Sequence, residues 1–197
     1  MPDCRRLNAA VSPEARTFMR QPRPKVLMVT RNFPPLVGGM ERLLYHAYQE
    51  LAQEFEVTLI GPRGCKRFLR SDSRVVMCPA APVLRSLVLF QWHTLAAARS
   101  MRPDLILAGS GVTAPAAVSA GRIFRIPSLC YLHGLDVVVD HPVYQALFVP
   151  AIRACTGAIV NSRSTLKLAA QAGVKKSSIA VLHPGVTLPD TQTAAAA

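Results

Sequence analysis

Long apolar runs are missing from this 197-residue sequence: none reaches the roughly 18 to 20 residues that a membrane-spanning helix needs. The apolar core of a secretory signal is missing too, because residues 1–24 mix Arg, Pro and Ser. The five cysteines (Cys4, Cys65, Cys78, Cys130 and Cys155) are scattered, odd in number and without a CxxC pair. That points away from a disulfide frame or a zinc site and toward reduced thiols in a cytoplasmic protein. No GxGxxG follows the first strand-like run, which excludes the dinucleotide fingerprint. Acidic residues are scarce: 11 Asp and Glu stand against 23 Lys and Arg, a net charge of +12. Residues 1–25 hold six of the cations and two of the acids, so most of the excess sits on the remainder of the chain. Such a balance favours an anionic partner, whether phospholipid, nucleotide phosphate or nucleic acid.

What the sequence does contain is enough apolar material for a core: 50% of residues are hydrophobic and 17% charged. The length suits one α/β domain. Residues 25–30 (KVLMVT) form a short β-branched run closed by a Pro/Gly loop, as a buried parallel strand requires. Helical spacing follows over 40–54, with Leu43, Leu44, Ala47, Tyr48 and Leu51 on one stripe. Strands are expected at 57–60, ended by Gly61-Pro62, and at 74–78, 104–108, 128–132, 157–160 and 179–182. Helices are expected at 83–101, 114–124, 141–154 and 162–172, the last closed by Gly173 at a position where positive φ suits glycine. This alternation implies a single Rossmann-like, doubly wound parallel sheet over residues 25–188. A basic tail (1–24) precedes it and a low-complexity end (189–197) follows. Ligands in such sheets bind beyond the carboxyl ends of the strands.

Four motifs stand at those ends. Residues 31–41 carry Gly38-Gly39 at the entrance of a helix, with Glu41 in its first turn; paired glycines let backbone N–H groups approach a phosphate, and a plain turn explains them equally well. His133-Gly134-Leu135-Asp136 closes a central strand. There His133 either contacts a substrate hydroxyl or phosphate or places its proton on a backbone carbonyl, and Asp136 orients the ring or binds a sugar hydroxyl. Asn161-Ser162 opens the next helix, where Ser162 is a natural N-cap. His183-Pro184-Gly185-Val186 forms the last turn.

In this order and spacing the series resembles family 4 of the retaining GT-B glycosyltransferases, through residues 25–188. At the hinge, where that family has an acidic residue after P-x-GV, this sequence has Thr187. The resemblance implies the N-terminal, acceptor-side half of a GT-B fold. The family's second Rossmann domain, with its basic pair and Glu-x7-Glu element, is not present in these 197 residues. It implies transfer of a sugar from a nucleotide diphosphate donor to a glycan or lipid-linked acceptor with retention, no metal being required. Gly38, Gly39, Glu41 and Ser162 would face the donor, with His133 and Asp136 as the catalytic pair and no covalent nucleophile.

The basic run Arg63, Lys66, Arg67, Arg70 and Arg74 precedes the apolar helix over 83–101. It is expected either to face an anionic membrane on the inner side of the cell envelope or to form a solvated loop. A stand-alone binding or regulatory module that needs a separate partner is the alternative reading. Nucleic-acid binding has only the charge in its favour, without a zinc pattern, an aromatic RNA-binding strand or a helix-turn-helix.

Overall fold

The computed structural model describes residues 23–79 and 81–185. Most of the basic tail, Val186 and Thr187 at the hinge, and the low-complexity end lie outside the described residues. Seven parallel strands form one sheet in the order β3-β2-β1-β4-β5-β6-β7. They are β1 (Lys25–Val29), β2 (Glu56–Pro62), β3 (Arg74–Cys78), β4 (Leu105–Ala108), β5 (Ser128–Leu132), β6 (Gly157–Val160) and β7 (Ile179–Val181). The helices are α1 (Gly39–Glu54), α2 (Val83–Met101), α3 (Ala114–Phe124), the one-turn α4 (Leu135–Val138), α5 (Pro142–Ala154) and α6 (Arg163–Gln171). The expected single doubly wound sheet is the fold observed.

Period-two alternation along the strands builds a separate core on each face. Leu27, Val29, Ile106, Ala108, Cys130, Leu132, Ala158 and Val160 point to one side, where Phe90 of α2, Ala117 of α3, Ile152 of α5 and Ala169 of α6 meet them. Val26, Met28, Leu107 and Tyr131 point to the other, where Leu44 and Tyr48 of α1 pack with Phe33. One face therefore carries the four longer helices α2, α3, α5 and α6 with the one-turn α4, and the other carries the long α1. Gly173, at φ 88, ends α6 in the left-handed region as its position predicts. The described cysteines, Cys65, Cys78, Cys130 and Cys155, are free thiols.

Two elements differ from expectation for physical reasons. β2 continues through Gly61 and Pro62, which the sequence suggested as its end. Beyond the Val29–Ile60 pair β1 has turned away, while Gly61 and Pro62 still pair with Met77 and Cys78 of β3. A residue without an N–H there deprives β1 of no ladder bond. The helix expected from 141 is preceded by the extra turn α4, where the Asp136 N–H donates to the His133 carbonyl at 3.0 Å.

Candidate functional site

A cleft of about 260 Å³ opens at the carboxyl ends of the strands, lined by Arg31, Asn32, Leu36 and Met40 together with Pro62, Phe90, Ser110, Val112 and Asp136. Its position follows from topology. The chain leaves β1 to reach β2 on one side, while β4, on the other side of β1, starts the run toward β7. The loops after β1 and β4 therefore diverge and leave a crevice between them.

The β1 loop is held by its own side chains. The Asn32 N–H donates to Thr30 Oγ1 at 3.0 Å, and Asn32 Nδ2 donates to Glu41 Oε1 at 3.0 Å. The Glu41 carboxylate folds back over Gly38, so that a Cβ at residue 38 would collide with it. Glu41 is 9% exposed and thus acts inside the loop. Gly39, the first residue of α1, has no heavy atom of the described residues within 4 Å of where a Cβ would stand, apart from its chain neighbours and its own helix backbone. Nothing among the described residues demands that glycine. Burial lowers the Arg31 guanidinium from its ordinary value, and it remains a cation at neutral pH.

On the opposite side, His133 is buried at 5% exposure, and its ring stacks on Tyr131 with centroids 5.2 Å apart. His133 Nε2 lies 3.1 Å from the Gly109 carbonyl oxygen. A carbonyl only accepts, so Nε2 carries the proton. Asp136 holds the backbone of this loop: Oδ2 accepts the His133 N–H at 2.9 Å, and Tyr144 donates its hydroxyl to Oδ1 at 3.4 Å. Burial raises the Tyr144 hydroxyl well above its ordinary value, and the charge on Asp136 adds to this.

Burial also raises the Asp136 carboxyl, outweighing the hydrogen bonds that favour its anion. The folded chain thus holds this proton more tightly than the unfolded one. Stability is lost as pH climbs from the ordinary carboxyl value of 3.8 through the raised one. Asp136→Asn removes that step. Its urea midpoint minus that of wild type is expected to rise as pH climbs above 3.8; a difference flat with pH would contradict the burial argument.

The sequence candidates are distributed unevenly around this cleft. Asp136 lines it, Gly38 and Gly39 stand between two lining residues at its mouth, and His133 lies behind its wall. Ser162 caps α6, accepting the Thr165 N–H at 3.1 Å, while the Thr165 hydroxyl donates to Asn161 Oδ1 at 2.7 Å. The basic run is divided. Arg63, Lys66 and Arg67 are exposed just after β2 at the carboxyl edge of the sheet. Arg70 and Arg74 lie beside the start of β3 at the amino edge, in a groove shared with Arg23, Phe55 and Glu56. There Arg70 pairs with Asp72 at 3.4 Å and Arg74 with Glu56 at 2.7 Å. Arg31, Asn32, Phe90 and Tyr144 were not singled out from sequence. The place of Arg31 and Asn32 directly after a strand was the available signal for those two. Among the described residues no group of three or more His, Cys, Asp and Glu is placed to hold a metal.

The fold is shared with larger GT-B structures. HepE of Anabaena, solved with UDP-glucose, superposes with a TM-score of 0.64 at 18% identity over 82% of this chain and 44% of that one. The lipopolysaccharide outer core galactosyltransferase WaaB matches with a TM-score of 0.63 at 13% identity, over 84% of this chain and 47% of that one. UDP-N-acetylglucosamine 2-epimerase of Rickettsia bellii matches with a TM-score of 0.61 at 11% identity, over 81% and 44%. The chain thus spans less than half the length of these structures, and at such identities the likeness is one of fold, shared by transferases and an epimerase alike. Among curated proteins none matches the sequence significantly. The model of Glycosyltransferase Family 4 matches residues 37–189, from the glycine loop across the cleft to the end of the sheet, and this chain, with its Rossmann-like sheet of the N-terminal GT-B type, belongs to that family.

Proposed function

We propose that this chain is the acceptor-side half of a retaining glycosyltransferase that moves a sugar from a nucleotide diphosphate to a glycan or lipid-linked acceptor, in the synthesis of cell-envelope polysaccharide or glycolipid. The observation that carries this reading is the cleft at the β1/β4 switch point, where Gly39 leaves the start of α1 open and Arg31 adds a partly desolvated cation. The first N–H groups of α1, together with its dipole, suit a diphosphate. The Arg31 guanidinium suits the same oxygens, with a fixed fork of donors. The complex of HepE with UDP-glucose supports a nucleotide-sugar donor.

The transferred sugar would lie against the wall made by the His133–Asp136 loop. Asp136 fixes that loop by accepting its backbone N–H, and its carboxylate faces the positive charge that develops at the anomeric carbon. Both Asp136 oxygens are engaged, by the His133 N–H and the Tyr144 hydroxyl, so the transfer proceeds through an oxocarbenium-like transition state without a covalent intermediate. Arg31 and the α1 amides stabilise the leaving diphosphate, and in this reading no bound metal is required. Arg63, Lys66 and Arg67 stand at the same edge of the sheet, on the side from which an anionic acceptor would approach. The remainder of the donor site belongs to a second half that closes over the cleft. Titration calorimetry of UDP, GDP and their sugars into this chain is therefore expected to show binding weaker than micromolar. Sub-micromolar binding of any of them would contradict a donor site divided between two halves.

A further inference from the structure

The four longer helices on one face of the sheet, α2, α3, α5 and α6, contain no Asp or Glu anywhere along their length, against six Arg and Lys, all exposed; Asp136 of the one-turn α4 on that face is buried. α1, alone on the opposite face, carries Glu41, Glu50 and Glu54. The cation-only layer is also unusually apolar at its surface. Leu84, Val88 and Trp92 of α2 are 76%, 60% and 68% exposed, and their spacing of four places them on one stripe. Arg85 and Arg99 are exposed on the same helix. On α5, Val143 and Leu147 are likewise exposed and four apart.

We propose that this helical layer seats the chain on an anionic phospholipid surface. The seat goes beyond sugar transfer and does not depend on it. An anionic bilayer is the partner that satisfies both features at once. Aliphatic side chains and a tryptophan enter the boundary between headgroups and acyl chains, while arginines reach the phosphates from the same helix. A nucleic acid would satisfy the cations and leave the aliphatic stripe against phosphate. A second copy would set one cation-only face against another, which is repulsive. Among the described residues no helix is long and apolar enough to cross a membrane, so the contact is peripheral. Phe90 joins the seat to the cleft: it lies on the inner side of α2 and lines the cleft, while its neighbours Val88 and Trp92 face outward. A lipid-linked acceptor held on this surface would be presented beside the cleft.

Trp92 is the only tryptophan in the sequence and reports on the seat directly. With the whole chain, vesicles of phosphatidylcholine containing phosphatidylglycerol are expected to shift its emission to the blue, and brominated acyl chains to quench it. Phosphatidylcholine alone should do neither. Arg85→Gln is expected to weaken partitioning about fivefold. Leu84→Ser with Val88→Ser should abolish the blue shift while leaving circular dichroism unchanged, since both positions are exposed.

Several results would overturn the seat: vesicle binding that leaves Trp92 emission unmoved, equal binding to neutral vesicles, an RNA duplex that protects Trp92 where vesicles do not, or a dimer that shields Trp92 before lipid is added. Nucleotide titration reports on the cleft and Trp92 on α2, so either proposal can fail without the other.

Discussion

Replacing Phe90 with alanine is expected to cost about 3–5 kcal/mol of folding stability, the range for truncating a buried phenylalanine. For a chain of this size that corresponds to a fall in Tm of roughly 6–20 °C. Phe90 is 2% exposed and packs in the core between α2 and the sheet. It also forms part of the cleft wall, so the variant should lose the shape of the cleft together with stability. Trp92→Ala is the control on the same helix: Trp92 is 68% exposed, and its truncation should stay within about 0.5 kcal/mol. Thermal unfolding of the two variants side by side checks this. Equal losses would mean that α2 does not sit on the sheet as described.

The two glycines of the β1 loop are expected to respond in opposite ways. A side chain at residue 38 meets the Glu41 carboxylate, which Asn32 holds at 3.0 Å. Gly38→Val should therefore displace Glu41, break that hydrogen bond and cost about 1–2 kcal/mol. A Cβ at residue 39 meets no described residue within 4 Å beyond its chain neighbours and its own helix backbone, so Gly39→Val should change stability by no more than about 0.5 kcal/mol. That open space is the proposed seat of the donor's diphosphate. In a chain completed by a donor-gripping half, Gly39→Val is expected to lower transfer about 100-fold, or roughly 2.7 kcal/mol. A stable variant with full transfer activity would remove the diphosphate from this loop.

The fold was legible because its signals are local and repeated. Runs such as KVLMVT and the stripe from Leu43 to Leu51 specify strand and helix by their periods, and a strand–helix alternation leaves a parallel sheet as the economical way to bury them. Pro62 misled because its cost depends on a neighbour: a missing N–H matters only where a strand stands opposite, and β1 had already ended. The basic run is divided for a topological reason that the sequence already contained. Parallel neighbours require the chain to return along the whole sheet, so a residue just after β2 and one starting β3 lie at opposite ends. Arg63 and Arg74 therefore stand at opposite ends of their strands.

In the candidate site, the glycines and Asp136 could be found because strand ends and turn residues mark them. Tyr144 could not: it sits within a helical stripe and reaches Asp136 only through the packing of α5 beside the β5 loop. The His133 ring, buried against Gly109, shows the same limit. A histidine at a strand end has two plausible partners, and only the fold decides which carbonyl or ligand lies within reach.

The central claim is that the start of α1 receives the diphosphate of a nucleotide sugar, and amide chemical shifts test it most directly. Adding UDP to the isotopically labelled chain is predicted to move the Gly38, Gly39 and Asn32 amides in one saturating curve, while the amides of Arg70 and Arg74 at the far edge stay still. In Gly39→Val the same additions should leave the loop unmoved. Shifts absent from Gly38 and Gly39, or equal in wild type and variant, would contradict the account.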